Sequence, residues 1–405
     1  MKNVKKILIA NAMCILLLSG LSVSAAEPEP GLLITADNVS EYSQYLLPGA
    51  VEQINRGAEL KVQAKSPREG LTNPVWAAAT EANRGKARID ELGTVSTQDG
   101  GPWIGGTPFP EPTSAVEVMA NYQYTNTGLE GDDWASVNGM RAAFSRFFYI
   151  NNKGEVYKDV AVGGAEYHMN GRLNFDPKPI VSGREAEDRR RMFVFLAPYD
   201  VKGIVTLDIQ YRDQSKLPDS YIYLPNFRRV RRVSTANRAD AVAGSEYSVS
   251  DLSGFSDPLG LWEFKILEKK LMLMSVTDSP PVPVKGDPGF INGYFVPNRP
   301  VELREAYIIE ATPRYDTVYS RKVLAIDAEV FRISDGDFYD KQGQLYKVVQ
   351  QFFDNDEEGN VRPTWNLILN LQTGFATMLG QFGVSQNMDV PLRILEVNNL
   401  KDFSR

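Results

Sequence analysis

The most constraining feature of this sequence is a series of strand patterns separated by very short turns. Turn residues at Asn151–Gly154, Asp200–Gly203 and Asp340–Gly343 lie directly between runs rich in Val, Ile, Phe and Tyr. Parallel neighbours need a crossover of about a dozen residues, so short turns predict antiparallel pairing. The predicted strands are Ser145–Ile150, Glu155–Val160, Arg191–Ala197, Ile204–Tyr211, Tyr221–Leu224, Val301–Ala311, Tyr319–Asp327, Val330–Ser334, Gln344–Phe353 and Thr364–Gln372. The pattern favours a mainly β (α+β) fold built on one large, curved antiparallel sheet.

Other segments interrupt or precede this sheet. Three- and four-residue apolar spacing predicts a helix within Ala36–Arg56, interrupted at Pro48. Residues 61–106 show weak periodicity and are predicted to be an irregular wrapping segment. Trp262–Val276 fits either a strand or a short helix. Further turns are expected at Ser334–Gly336 and Glu358–Asn360.

The N-terminus has the pattern of a secretory signal peptide. Three lysines in MKNVKK precede an apolar run that ends in small residues at Ala25 and Ala26. Cys14, the only cysteine, lies inside this leader. Export of a mature chain without cysteine is typical of a bacterial periplasm. We therefore expect a periplasmic protein, either free or peripheral at the outer membrane. We divide the chain into a signal peptide (1–26), an N-terminal helix with a wrapping segment (27–112), and a curved antiparallel β region (113–405) with a proline-rich loop at 279–300.

Overall charge argues against one class of partner. Without the leader the chain would carry 41 basic and 51 acidic residues, a net charge of −10. Phosphate backbones are bound mainly through excess positive charge, so we expect no nucleic-acid partner.

Motifs for enzyme chemistry are absent from the sequence. His168 is the only histidine, no G-x-S-x-G elbow accompanies it, and we expect it at the surface or in a hairpin. A zinc site needs a cluster of His or Cys residues, which a chain with one histidine and one cysteine cannot supply. No phosphate-cradling glycine loop is present either. The acidic runs at 354–360 and at Asp335, Asp337 and Asp340 are interpreted as solvated turns, since Trp365 replaces the bidentate Glu of a calcium loop. We expect no cofactor, no metal and no enzymatic activity.

Four arginines lie within residues 228–232, which is unusual in so acidic a chain. If this run forms a strand, Arg228 and Arg232 face one side, and Arg229 and Arg231 the other. One hypothesis is an ion-pair lattice with the carboxylates that follow; the other is a site for an anionic head group at a cavity mouth. The carboxylates that follow are Asp240, Glu246, Asp251 and Asp257, and Arg238 lies among them.

Aromatic residues recur on the predicted strands. They would form the core of a flat sheet, whereas in a sheet too curved to be filled by its own side chains they would line an apolar cavity. The pattern leaves both alternatives open. The candidate ligand-binding residues are the four arginines and the aromatic residues Phe193, Phe195, Tyr221, Tyr223 and Trp262. The remaining aromatic residues on these strands are Phe147, Phe148, Tyr149 and Phe264.

Six blocks in a fixed order resemble a family of Gram-negative periplasmic proteins, a domain of unknown function labelled outer-membrane lipoprotein-sorting protein-like. The blocks are Gly105–Pro112, Pro198–Tyr211, Tyr223–Arg232, Asp251–Asp257, Arg304–Pro313 and Tyr319–Ala328. The resemblance implies a LolA-like or LolB-like half-barrel wrapped over helices. It also implies trafficking of hydrophobic molecules alongside a resistance-nodulation-division permease and a porin-like outer-membrane protein. No catalytic residue follows from it.

Three functions remain open at this point. The first is a periplasmic carrier or chaperone that shields a lipid, an acylated molecule or another apolar ligand between the inner and outer membranes. The second is a protein-binding scaffold of an export complex. The third is a hydrolase that uses carboxylates distant in sequence, for which no motif argues.

Overall fold

The fold was determined from a computed structural model that describes residues 26–125, 133–136, 145–233, 238, 241–276, 290–291, 294–295, 299–355, 361–381, 384–386 and 389–404. Most of the predicted leader and most of the proline-rich loop lie outside these ranges, as do Asp240 and the turn at 356–360. Among the described residues, no helix is long and apolar enough to cross a membrane.

The secondary structure is dominated by strands. The helices are α1 (Val39–Tyr42), α2 (Pro48–Asn55), α3 (Pro74–Ala82) and α4 (Ala115–Thr125). The strands are β1 (Leu33–Ile34), β2 (Leu60–Gln63), β3 (Ala87–Ile89), β4 (Val95–Thr97), β5 (Asp133–Ser136), β6 (Ser145–Ile150), β7 (Val156–His168), β8 (Glu187–Ala197), β9 (Val205–Tyr211), β10 (Asp219–Leu224), β11 (Arg229–Val233), β12 (Trp262–Met274), β13 (Phe290–Ile291), β14 (Tyr294–Phe295), β15 (Arg299–Pro313), β16 (Tyr319–Asp327), β17 (Ile333–Asp340), β18 (Leu345–Asn355), β19 (Val361–Asn370), β20 (Ala376–Gln381) and β21 (Val384–Gln386).

Seventeen of these strands form one sheet. From one edge to the other the paired strands are β11, β10, β9, β8, β7, β6, β20, β19, β18, β17, β16, β15 and β12, and every neighbouring pair is antiparallel. Beside this series β5 pairs with β7, and β2 runs parallel to β15. In the described chain β11 and β12 each pair with one neighbour, so the sheet is not closed. The predicted mainly β fold with one large, curved antiparallel sheet is confirmed.

Three elements differ from their predictions. The strand predicted at Val330–Ser334 begins only at Ile333, because residues 328–330 form a turn. Residues 61–106 are not irregular, because they hold α3 and the β3–β4 hairpin. The predicted Ser334–Gly336 turn is wrong, since these residues lie inside β17. Asp335 is bonded there by Arg299 (Nη1 to Oδ2, 3.2 Å), and buried Asp337 accepts from the Gly49 N–H at 2.9 Å. Tertiary partners thus override the local turn preference of Ser-Asp-Gly.

The two faces of the sheet are covered by different segments. We call the face that packs on α4 the α4 face. Its core includes Trp103, Tyr122, Phe255 and Trp262, with residues from β15 to β20 beneath them. α1 and α2 pack on β2, β12 and the start of β15, and on the face opposite α4 the C-terminal segment 390–403 covers β7 to β10.

Candidate functional site

The strand register shows which side chains of β7 to β11 share the α4 face. Leu379, in the core under α4, pairs with Phe147, and Phe147 pairs with Val160. Further along β7, Val162 pairs with Phe195. Phe195 and Phe193 therefore lie on the α4 face, because alternate residues of a strand share a face.

Two cross-strand rows continue from this point to the sheet edge. We call them the Phe193 row and the Arg191 row, and together with Phe195 they form what we call the open strip. The Phe193 row consists of Gly164, Phe193, Thr206, Ile222 and Arg231, and the Arg191 row of Glu166, Arg191, Asp208, Ser220 and Val233.

Burial alternates from Arg191 to Phe195 on β8 and from Val205 to Gln210 on β9. Met192, Val194 and Leu207 are at most 1% exposed because the C-terminal segment covers them. Phe193 and Thr206, on the α4 face, are only half-buried. The open strip is therefore the part of the sheet where one face is filled and the other retains accessible aromatic and apolar surface.

A polar cleft adjoins the open strip where α4 ends. We call it the Gln210 cleft. It separates the C-terminal turn of α4 and the segment 252–256 from β8 and β9. Its lining residues are Tyr122, Gln123, Arg189, Arg191, Gln210, Leu252, Ser253, Phe255 and Ser256.

Glu166 is the buried charge at the base of this region. It is fully buried and is bonded by Arg191, and His168 Nε2 lies 2.9 Å from its Oε1. Burial raises the pKa of Glu166, but Arg191, with His168 and Arg189, outweighs burial and holds the pKa well below its usual range. Glu166 therefore fixes the Arg191 side chain at the border of the cleft.

His168 is not a hairpin or surface histidine as expected. It ends β7, its side chain is 15% exposed, and it contacts Glu166. Its place in an ion-pair group explains its burial, since a buried carboxylate stabilises a hydrogen-bonded imidazole.

The arginine run lies on the outermost strand. Arg228 occupies the β10–β11 turn with φ of +49°, so the predicted four-residue alternation begins only at Arg229. Arg229 and Arg231 share the α4 face with Phe193, whereas Arg232 pairs with Tyr221 on the opposite face and bonds Asp219.

The carboxylates that were expected to neutralise this run have other partners. Asp251 binds Lys322 at 2.9 Å, and Asp257 binds Arg238 at 2.6 Å. Glu246 lies 3.8 Å from the Lys347 ammonium. The ion-pair hypothesis therefore holds for Arg238 with Asp257 and is wrong for Arg228, Arg229, Arg231 and Arg232, which pair with none of these three carboxylates.

The candidate aromatic residues are not all brought together. Phe193 and Phe195 lie in the open strip. Tyr221 and Tyr223 pack on the opposite face against the C-terminal segment. Trp262 is 1% exposed beneath α4, where its Nε1 donates to Asp257 Oδ2 at 3.0 Å.

Sequence reasoning missed Arg189, Arg191 and Gln210 as cleft residues. The signal was present: Arg189, Arg190 and Arg191 form a second arginine run directly before an aromatic strand. Among the described residues, no group of three or more His, Cys, Asp or Glu side chains is arranged to hold a metal ion.

A family model described as "Protein of unknown function (DUF1329)" matches residues 33–402. This confirms the resemblance predicted from the sequence blocks. No curated protein matches the chain.

Three of the solved structures that are similar to this chain show the extent of the likeness. A putative outer membrane lipoprotein-sorting protein domain from Vibrio parahaemolyticus is 19% identical, with 70% of this chain and 97% of that chain covered and a TM-score of 0.49. A DUF1329 family protein from Desulfovibrio piger is 18% identical, with coverage of 70% and 96% and a TM-score of 0.49. A LolA superfamily protein from Nitrosomonas europaea is 13% identical, with coverage of 70% and 98% and a TM-score of 0.43.

Proposed function

The chain belongs to the DUF1329 family, and from that premise we propose that it is a periplasmic carrier for a lipid, an acylated molecule or another apolar ligand. The open strip is the observation that carries this proposal. It presents half-buried Phe193, Phe195 and Ile222 on a face whose other end is filled by the chain's own residues. An apolar ligand laid along the strip would cover surface that the fold leaves accessible.

The energetics suit such a ligand. Removing one methylene group from water is worth about 0.8 kcal/mol, so a long acyl chain gains affinity without many specific contacts. The binding energy would come from area, and the polar residues at either end would select the ligand.

Two polar ends flank the apolar part of the strip. At the sheet edge, Arg229 and Arg231 are exposed on the α4 face and would hold an anionic head group at the rim. At the other end, the Gln210 cleft offers amide and guanidinium donors. We propose an amphipathic cargo that moves between the inner and outer membranes, with a resistance-nodulation-division permease and a porin-like outer-membrane protein as partners.

The test is mass spectrometry of an organic extract of the protein, purified without detergent from the periplasm of its own host. A recurring apolar compound in stoichiometric amount is the expected result and would identify the cargo. A clean extract from folded protein would contradict the proposal.

A protein-binding scaffold is the second candidate, favoured by the edge strand β11. Within the described part of the chain β11 pairs only with β10, so its outer backbone groups are available to a further strand. A clean extract together with a co-purifying protein that is lost on deletion of β11 would favour this alternative.

A further inference from the structure

Two hairpin turns lie side by side at one end of the sheet. The turn at 198–204 joins β8 to β9, and the turn at 225–228 joins β10 to β11. Because Val205 pairs with Tyr223, the two turns are neighbours. They also approach each other closely, since a Cβ built on Gly203 would lie 3.1 Å from Pro225 Cγ. We call this pair of turns the tip.

The tip carries the two most exposed large apolar side chains of the described chain. Tyr199 is 94% exposed and Phe227 is 60% exposed. Scattered exposed apolar residues need no explanation, but two aromatic rings on adjoining turns form a projecting apolar pair. Tyrosine is enriched at membrane–water interfaces, where an apolar ring with a polar edge is stable, and phenylalanine adds apolar surface that can enter the boundary of the acyl chains.

Basic side chains flank these rings. Lys202, Arg228 and Arg229 are exposed, and Asp200 is the acidic residue among them. The Arg231 guanidinium lies 5.2 Å from the centre of the Phe227 ring. In a chain of net charge −7, the tip is therefore a locally basic surface.

We infer that the tip docks onto the surface of an anionic phospholipid membrane, with Tyr199 and Phe227 at the interface and the cations against lipid phosphates. Projecting turns present little area, whereas a stable protein interface needs about 800 Å² from each partner. A bilayer needs no matching shape and accepts rings that stand out from a convex surface. Basic residues near an anionic surface each add about 1 kcal/mol of attraction, roughly a fivefold gain in binding.

Docking at the tip would bring one end of the open strip to the membrane. Gly203 N–H donates to the Phe195 carbonyl at 2.8 Å, so Phe195 sits at the base of the first turn. Arg229 begins β11 directly after the second turn. The inference concerns membrane contact alone and does not depend on which ligand the strip binds.

The first experiment is flotation of the full chain, purified from the periplasm, with vesicles of phosphatidylcholine alone or mixed with phosphatidylglycerol. We expect binding only to the mixed vesicles. Tyr199→Ser with Phe227→Ser, and separately Lys202→Glu with Arg228→Glu, should each lower the bound fraction about tenfold or more. The matched control is Leu267→Ser with Val318→Ser, which removes exposed apolar residues elsewhere (45% and 40% exposed) and should bind as the wild type does.

A second measurement keeps the inference testable if a tip variant folds poorly. Cys14 is the only cysteine, so Cys14→Ser with Phe227→Cys places one environment-sensitive dye at the tip. Its emission should shift to the blue with phosphatidylglycerol vesicles, whereas a dye at Leu267→Cys should not respond. Wild-type protein that stays unbound, or tip variants that float like the control, would overturn the inference. Capture of a protein by the tip without vesicle binding would do so as well.

Discussion

The two halves of the α4 face belong to the same sheet but are covered to different extents. Beneath α4, the strands β15 to β19 are closely covered, and even a lysine is enclosed there. Along β8 to β10, much of the same face stays half-buried, although Met192, Val194 and Leu207 on the reverse side are buried. A strand pattern that alternates in the same way can therefore belong to a filled core or to an accessible surface.

Lys322 shows how completely the filled half is closed. Its side chain is fully buried, and its ammonium bonds Asp251 Oδ1 at 2.9 Å and the Ser250 carbonyl at 3.1 Å. Four aromatic rings surround it, with centres from 4.4 Å (Phe338) to 5.5 Å (Phe255) away. Such a charge is tolerated only when paired and hydrogen-bonded.

The largest expected effect is therefore in the filled half. Asp251→Ala should lower the free energy of unfolding by about 3–5 kcal/mol, because it leaves the Lys322 ammonium buried without its carboxylate. Denaturant unfolding, monitored by two spectroscopic signals, measures the loss. Lys341→Ala is the control, because it breaks an exposed ion pair with Asp316. The Lys341 and Asp316 side chains are 55% and 91% exposed, so this variant should change the free energy of unfolding little. Equal effects of the two variants would contradict this account of the filled half.

A pH-dependent difference should come next in size. Burial, together with the nearby Asp335, raises the pKa of Asp337 to about 7, although the Gly49 N–H bond opposes the shift. Between about pH 4, the unfolded value, and about pH 7, the native state keeps a proton that the unfolded chain has lost, so stability falls as pH rises. Asp337→Asn should remove that fall.

Unfolding midpoints measured across this window test the prediction. Each pKa unit corresponds to about 1.4 kcal/mol. The stability of Asp337→Asn relative to wild type should therefore rise by about this amount for each pH unit within the window. The control is Asp340→Asn, on the same strand. Hydrogen bonds, that from the Gln344 N–H first among them, lower the pKa of Asp340, so the pH-dependent part of its effect on stability should fall below about pH 4. Glu166, in the open half, has a lowered pKa, and its contribution is likewise lost only as pH falls. Parallel curves for wild type and Asp337→Asn would refute the assignment.

The open strip should respond in ligand binding more than in stability. Phe193→Ala with Phe195→Ala should weaken binding of a fluorescent fatty acid and should cost about 1–2 kcal/mol of unfolding free energy, because the rings are only half-buried. Trp262→Ala should cost about 3–5 kcal/mol and serves as the contrast from the filled half. Fluorescence titration and denaturant unfolding measure the two quantities. Unchanged fatty-acid affinity in the Phe variant would count against the strip as the binding surface.

The smallest effect on stability is expected at the rim. Arg229→Glu with Arg231→Glu should lower the amount of co-purified ligand and change the unfolding free energy by less than about 0.5 kcal/mol, since both side chains are exposed. Arg232→Glu reverses a charge on the opposite face and should leave ligand content unchanged. Full ligand occupancy in the double variant would show that the rim role is wrong.

Local pattern predicted the hairpins of the open half well. The Ser145–Ile150 strand has the predicted bounds, and β8 and β9 lie where alternation and a short turn indicated, with β8 beginning four residues earlier. Turn chemistry and alternation act over a few residues, so a sequence expresses them directly. The same reasoning failed at Ser334–Gly336, where the deciding partners Arg299 and Gly49 are 36 and 288 residues away in the chain.

The sequence by itself determined that this chain forms an antiparallel sheet, because short turns leave no room for crossovers. It also determined which residues alternate on each strand. Only the tertiary structure decided that Phe193 and Arg231 share one accessible face while Tyr221 and Trp262 do not. That choice depends on register between strands and on which distant segment covers each face, and neither is encoded in the period of a single strand.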